Sequence, residues 1–262
     1  MAKVRYERSG AAAILTIDRP ERRNAVDAET ADLLLEGYRR FESDEEARAL
    51  VLTGAGDDAF CAGADLKAIA AAAADPERVA EAPVDRPEGP MGFTRLTPTK
   101  PAIAAISGWC LAGGLEVALW CDLRIATETA RLGYPERRWG VPLIDGGTQR
   151  LPRIVGLGRA LDMILTGRIL ESTEGLDWGL VNEVVPPGRH VERATELAEG
   201  LAGFPQQTLI SDRRAAIEGL GLALPEALAL EAELGYASIE TGLQGATRFA
   251  AGEGRHGEGA GA

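Results

Sequence analysis

Three apolar runs separated by turn-forming segments constrain this chain more than any other feature. Ala13-Ile14-Leu15-Thr16-Ile17 reads as a strand with one face buried, while Ala49 to Thr53 and Ala102 to Ile106 are unbroken runs of strand length. A helical pattern follows each run, and strands alternating with helices predict an α/β architecture. With 262 residues and 45% hydrophobic content, the chain can bury a substantial core as one main domain with an appendage. From about Val191 helical patterns dominate. Leu197, Leu201, Ile210, Ile217 and the stretch Leu224 to Leu234 offer more apolar face than one helix can bury, so this region needs partners. The expected organisation is therefore a core over 1–190, a helical segment over 191–250 for assembly, and a disordered tail over 251–262 that has no core-forming residue. Ala68 to Gly92, rich in Ala, Pro and acidic residues, reads as a mobile insertion.

Two glutamates stand out within apolar or turn-marked surroundings. Glu116 lies in Cys110-Leu111-Ala112-Gly113-Gly114-Leu115-Glu116-Val117-Ala118-Leu119-Trp120, and Glu136 in Leu132-Gly133-Tyr134-Pro135-Glu136. A carboxyl that loses hydration favours its protonated form, so its pKa rises toward values useful for proton transfer near neutrality. Gly113 and Gly114 read as a tight turn opening an apolar helix, whose free N–H groups can face a developing negative charge. A similar turn, Phe60-Cys61-Ala62-Gly63-Ala64-Asp65-Leu66-Lys67, follows the strand ending at Gly54. Two backbone donors and two carboxyls form a candidate acid/base site.

Other function classes find little support. A net charge of −12 argues against nucleic acid as a general partner, since phosphate binding needs clustered positive surface. Cys61, Cys110 and Cys121 form no Cys-x-x-Cys pair and no even framework, so neither disulfides nor a zinc cluster is expected. Gly156-Leu157-Gly158 lacks the third glycine of a dinucleotide loop. Ser107 has no nucleophile-elbow pattern, and of the two histidines His190 adjoins a Pro186-Pro187-Gly188 loop that reads as surface, while His256 lies in the tail. No apolar run approaches membrane-span length, and the start, Lys3-Val4-Arg5-Tyr6-Glu7, lacks a leader pattern, so a cytoplasmic location is expected.

From Val4 to about Ala250 the chain resembles the crotonase, or enoyl-CoA hydratase/isomerase, superfamily through four motifs in order. Asp18-Arg19-Pro20-Glu21-Arg22-Arg23-Asn24-Ala25 is similar to its first CoA-contacting loop, and Cys61-Ala62-Gly63-Ala64-Asp65-Leu66 to its first oxyanion loop. Ser107 through Glu116 resembles the second oxyanion loop, and Tyr134-Pro135-Glu136 with Gly146-Gly147-Thr148-Gln149-Arg150-Leu151-Pro152 the segment bearing the second glutamate. The resemblance implies a spiral of strand-strand-helix units with a C-terminal helical trimerisation segment, trimers pairing into hexamers. It also implies oxyanion donors at Ala64 and Gly113, acid/base carboxyls at Glu116 and Glu136, and CoA or substrate contacts at Arg23, Ala25, Ala62, Asp65, Leu66 and Ile144. The implied reaction adds water across the 2,3 double bond of a trans-2-enoyl-CoA, with CoA as the only carrier and neither metal nor redox cofactor. Glu136 would then give the α proton, while the 68–92 insertion would cover the acyl pocket.

One segment departs from that pattern. Gly140-Val141-Pro142-Leu143-Ile144-Asp145-Gly146-Gly147 places branched Ile144 where a small glycine is common, and Asp145 adds a third carboxylate. Some isomerases of the superfamily use an aspartate near this place. Asp145 is therefore a candidate auxiliary acid, although capping of the next helix explains it more simply. The alternatives are an enoyl- or dienoyl-CoA isomerase, another acyl-CoA lyase or hydrolase of this fold, or a non-catalytic acyl-CoA- or RNA-binding protein, against which two intact glutamates weigh.

Overall fold

The computed structural model describes residues 2–74 and 86–253. The apolar runs become neighbouring strands. β1 (Val4–Ser9) pairs antiparallel with β2 (Ala12–Ile17), and β2, β3 (Ala49–Gly54), β5 (Ala102–Ile106), β7 (Leu123–Thr127) and β10 (Glu183–Val185) continue in parallel in that order. Buried residues throughout β3 and β5 are what a central parallel strand covered on both faces requires.

A second sheet takes alternate strands of the chain. β4 (Ala59–Cys61), β6 (Trp109–Leu111) and β8 (Arg131–Gly133) run parallel, and β9 (Ile169–Glu171) closes the sheet antiparallel to β8. The chain thus passes from one sheet to the other at β3–β4, β5–β6 and β7–β8. After the first two crossings it turns into a helix, α2 (Leu66–Ala73) and α3 (Gly113–Trp120), which is the strand-strand-helix repeat expected from the resemblance. The 3₁₀ turn Pro135–Trp139 follows the third, and then α4 (Gly147–Val155).

Two compact units divide between Ala198 and Glu199. The first also contains α1 (Ala28–Ser43), α5 (Leu157–Thr166) and α6 (Ser172–Asp177), and α7 (His190–Ala202) runs across the division. Its core includes Leu15, Leu34, Phe41, Leu52, Phe60, Ile106 and Leu132, with Tyr38, Phe93 and Trp120 in mutual aromatic contact at centroid distances of 4.6–5.9 Å. The second unit consists of α8 (Gln206–Glu218), α9 (Leu224–Ala237) and α10 (Ile239–Ala250). None of these three helices buries a residue, and Leu224, Leu228, Tyr236, Leu243 and Phe249 are exposed.

Three readings are corrected or bounded here. His190 is buried at the start of α7, not on the surface. Part of the supposed insertion is the ordered helix α2, capped by Asp65, while residues 75–85 lie outside the described residues. Ala251–Glu253 close α10 in a turn, and the rest of the tail, His256 included, lies outside as well.

Candidate active site

The two glycine-rich turns meet because β4 pairs with β6. Where they touch there is no room for side chains. A Cβ on Gly114 would run into the Cys61 carbonyl, and one on Gly63, whose φ is +92°, would sit 2.9 Å from the Gly113 nitrogen and 2.9 Å from the Ala112 Cβ. Ala112, which leads into α3, has φ 54° and ψ −129°, a conformation costly for any residue with a Cβ. Such strain is retained where it serves to aim backbone groups. The Gly113 N–H, at the first turn of α3, and the Ala64 N–H donate to no protein acceptor among the described residues.

Both residues line a cavity of about 510 Å³. Its walls are α2 (Leu66, Ile69, Ala72), the segment Pro90-Met91, and Trp139 with Val141 to Ile144. Among the described residues, every charged side chain on its lining is an acid: Asp27, Asp65, Glu116, Glu136 and Asp145. Of the residues expected at the site, Ala62, Ala64, Asp65, Leu66, Gly113, Glu116, Glu136, Ile144 and Asp145 share this cavity. Arg23 and Ala25 are not on its lining. Arg23 is exposed with φ 51°, and its carbonyl accepts from the Ala62 N–H at 3.0 Å. Ala25 is buried, and its carbonyl accepts from the Arg19 guanidinium. Arg19 also pairs with Asp27 at 3.1 Å and Asp65 at 3.0 Å, so the first loop is locked to the cap of α2. Arg22 lines a separate cavity with Lys3, Asp18 and Pro20.

Glu116 and Glu136 reach this space from different elements and sit in different surroundings. Glu116, 2% exposed on α3, accepts the main-chain N–H groups of Asp145 at 3.0 Å and Gly147 at 2.7 Å on one oxygen. Burial pushes its pKa up to about 7; those two donors pull the other way, while nearby Asp145 and, less, Glu136 push it further up. Glu136, 6% exposed in the 3₁₀ turn, has no hydrogen-bond partner on either carboxylate oxygen among the described residues, and burial raises it to about 7 as well. One carboxyl is thus held by donors that favour its anion, and the other is left in surroundings that favour its acid.

Asp145 is engaged elsewhere. It does not cap α4, whose N-cap is Gly146 with no side-chain bond. Its carboxylate instead accepts the Met91 N–H at 3.0 Å and the Thr94 hydroxyl, fastening the loop before β5 to the cavity rim. Arg150 braces the same corner, donating to the carbonyls of Asp145 at 2.8 Å and Thr94 at 2.5 Å. Sequence reading did not single out the main-chain donors of Asp145 and Gly147, Met91, Trp139 or Tyr134. Only Gly147 left a signal, since a Cβ there would collide with Tyr134 and Glu116. Among the described residues no cluster of metal-ligating side chains occurs, and no helix is long and apolar enough to cross a membrane.

Comparison with solved structures identifies the architecture as the crotonase fold. A crystal structure of enoyl-CoA hydratase from Bacillus anthracis superposes with a TM-score of 0.86 at 32% identity, covering 95% of this chain and 96% of that one. The chain belongs to the enoyl-CoA hydratase/isomerase family, whose model matches residues 7–253. The short-chain-enoyl-CoA hydratase of Clostridium acetobutylicum is 36% identical over 231 residues, 87% of this chain and 85% of that one. The (E)-benzylidenesuccinyl-CoA hydratase of Thauera aromatica is 36% identical over 221 residues, 84% of each.

Proposed function

We propose that this protein is an enoyl-CoA hydratase that adds water across the 2,3 double bond of a trans-2-enoyl-CoA thioester. The observation that carries the reading is the meeting of two buried carboxyls, Glu116 and Glu136, with the unpaired N–H groups of Ala64 and Gly113 around one apolar cavity. Negative charge grows on the thioester oxygen as the β carbon is attacked, and two preorganised donors lower that barrier, each accounting for roughly 10²–10³ in rate. Glu116, whose anion is supported by two N–H donors, takes a proton from water as the water attacks the β carbon. Glu136, whose acid form burial favours over the weaker pull of neighbouring Arg137, delivers the proton to the α carbon. Apart from its acids the lining is apolar, which suits an uncharged hydrocarbon acyl chain.

An isomerase would need a carboxyl free to carry a proton between carbons. Asp145 stands in the cavity wall with its Oδ1 held by Met91 and Thr94, while Glu116 and Glu136 supply in the same cavity the two carboxyls that hydration uses, so hydration is the better fit. The exposed apolar residues of α9 and α10 support assembly of copies of this chain into trimers, which sedimentation would test. The deciding experiment for the reaction is loss of the conjugated enoyl-thioester absorbance of crotonyl-CoA, with Glu116→Gln as control. Loss with the native protein alone is expected. No loss, or equal loss with the variant, overturns the assignment.

A further inference from the structure

Tyr134 is a buried polar side chain beside Glu116 that the hydration scheme does not use. It is 1% exposed, and its hydroxyl has no hydrogen-bond partner among the described residues. A buried hydroxyl left unpaired keeps its desolvation cost uncompensated, so an acceptor within reach is a strong attraction for it. Gly147 shows which acceptor is at hand. The point where a Gly147 Cβ would stand lies 2.6 Å from the Tyr134 hydroxyl oxygen and 3.0 Å from Oε1 of Glu116. The two oxygens are therefore no farther apart than those two lengths laid end to end. One water molecule, or a small rotation of the carboxyl, spans such a gap. Tyr134 is also absent from the cavity lining, whereas Glu116 is on it, so the phenol addresses Glu116 from the protein side and does not touch the substrate space.

We propose that Tyr134 is a positioning residue for Glu116, its hydroxyl serving as a third donor that joins the Asp145 and Gly147 N–H groups when the carboxylate ionises. This rests on the hydratase reading, in which Glu116 must be ionised to activate water. Three donors on an otherwise desolvated carboxyl hold its base form available near neutral pH, where burial alone would keep it protonated. The other charged groups acting on Glu116 are Asp145, Glu136 and Arg150, and Arg150 already spends its hydrogen bonds on the carbonyls of Asp145 and Thr94. Burial holds the Tyr134 phenol far above its ordinary range, so it stays an O–H donor throughout and carries no proton in the reaction. The lack of a side chain at Gly147 gains a second meaning, because a Cβ there would crowd both donor and acceptor.

Tyr134→Phe removes the hydroxyl alone. The Glu116 carboxyl can be titrated by infrared spectroscopy, its band assigned by subtraction of Glu116→Gln, which reads the contact whether or not the protein hydrates anything. The titration midpoint should move up by about one pH unit in the phenylalanine variant, the sign expected when a donor to the anion is lost. With crotonyl-CoA, kcat should fall about tenfold with KM within twofold, and the acid limb of kcat/KM should move with the infrared midpoint. In the Glu116→Gln background Tyr134→Phe should cost nothing further. At an acid pH where Glu116 stays protonated the melting temperature should not fall, since the hydroxyl then has no anion to hold. An unmoved infrared midpoint overturns the proposal, as does a shift of the basic limb in place of the acid one, an equal loss without Glu116, or a melting temperature lowered at that acid pH. Native protein that fails to hydrate would refute the hydratase reading, while the infrared titration would still decide the Tyr134 contact.

Discussion

Glu136→Gln should make the protein inactive and, above neutral pH, more stable. In the folded chain the Glu136 carboxyl is raised from 4.5 to about 7 by burial, which outweighs the pull of Arg137, and no other described residue bonds to either oxygen. Below pH 4.5 the side chain is protonated whether the chain is folded or not, and the glutamate costs nothing extra. Between 4.5 and 7 only the unfolded chain readily gives up the proton, so each rising pH unit removes about 1.4 kcal/mol of stability. Above 7 the folded chain ionises too, and the loss levels off at about 3 kcal/mol. Glutamine matches the protonated carboxyl in shape and cannot ionise, so the substitution removes this pH-dependent cost and little else. Urea unfolding at fixed protein concentration between pH 4 and 8 should show the variant nearly level with the native protein at pH 4 and ahead by about 2–3 kcal/mol at pH 8. The same variant should lose roughly 10²–10⁴ of its hydration rate through the missing proton donor. A stability difference that is flat across this range, or a variant weaker at pH 8, would refute the claim that an unpartnered, desolvated carboxyl sits at this position.

Hydration itself should follow a narrow bell in pH centred near 7, because it needs Glu116 ionised and Glu136 protonated while both titrate near that value; a plateau from pH 5 to 9 would exclude the pair. Asp145→Asn keeps an acceptor for Met91 and Thr94 but removes a charge that raises Glu116, so it should retain hydration within a few fold and move the acid limb to lower pH. Complete inactivity in a folded Asp145→Asn protein would instead make Asp145 a proton carrier. Gly63→Ala should lose about 10²–10³ in kcat, since the added Cβ meets the Gly113 nitrogen at 2.9 Å and parts the two oxyanion turns; unchanged kcat would refute the role given to those turns.

How much of this was legible depended on whether a feature is local. The strands at 13–17, 49–53 and 102–106 were readable because five consecutive residues are enough to carry an apolar pattern. β4, β6, β8 and β9 were not, since each is three residues long and is held in place by neighbours from distant parts of the chain. Glu116 and Glu136 could be picked out from their surroundings, but the difference between them could not. It comes from Asp145 and Gly147, 29 and 31 residues beyond Glu116, and only folding brings those N–H groups to its carboxylate. Asp145 looked like a helix cap because capping is what an aspartate before a helix commonly does, and its true partners are more than 50 residues upstream. His190 looked exposed because its flanking prolines and glycine mark a surface loop, yet the residue itself opens a helix that buries it together with Ala194 and Ala198.

What ties the legible and the hidden parts together is the chemistry of the donors. In the proposed mechanism Ala64, Gly113, Asp145 and Gly147 all act through main-chain N–H groups, so no side chain at those positions announces the function. The trace they leave is an exclusion: Gly63, Gly114 and Gly147 are places where a Cβ would strike a neighbouring turn, the Tyr134 hydroxyl or Glu116 itself. A site of this kind is written in sequence as glycines whose reason is steric and as acids in apolar company. The burial that raises both glutamates toward neutrality is also what makes them costly to the fold. A rigid main-chain frame is the arrangement that can hold two such carboxyls apart in character while keeping them in one cavity, because its donors neither ionise nor change rotamer as the protons move.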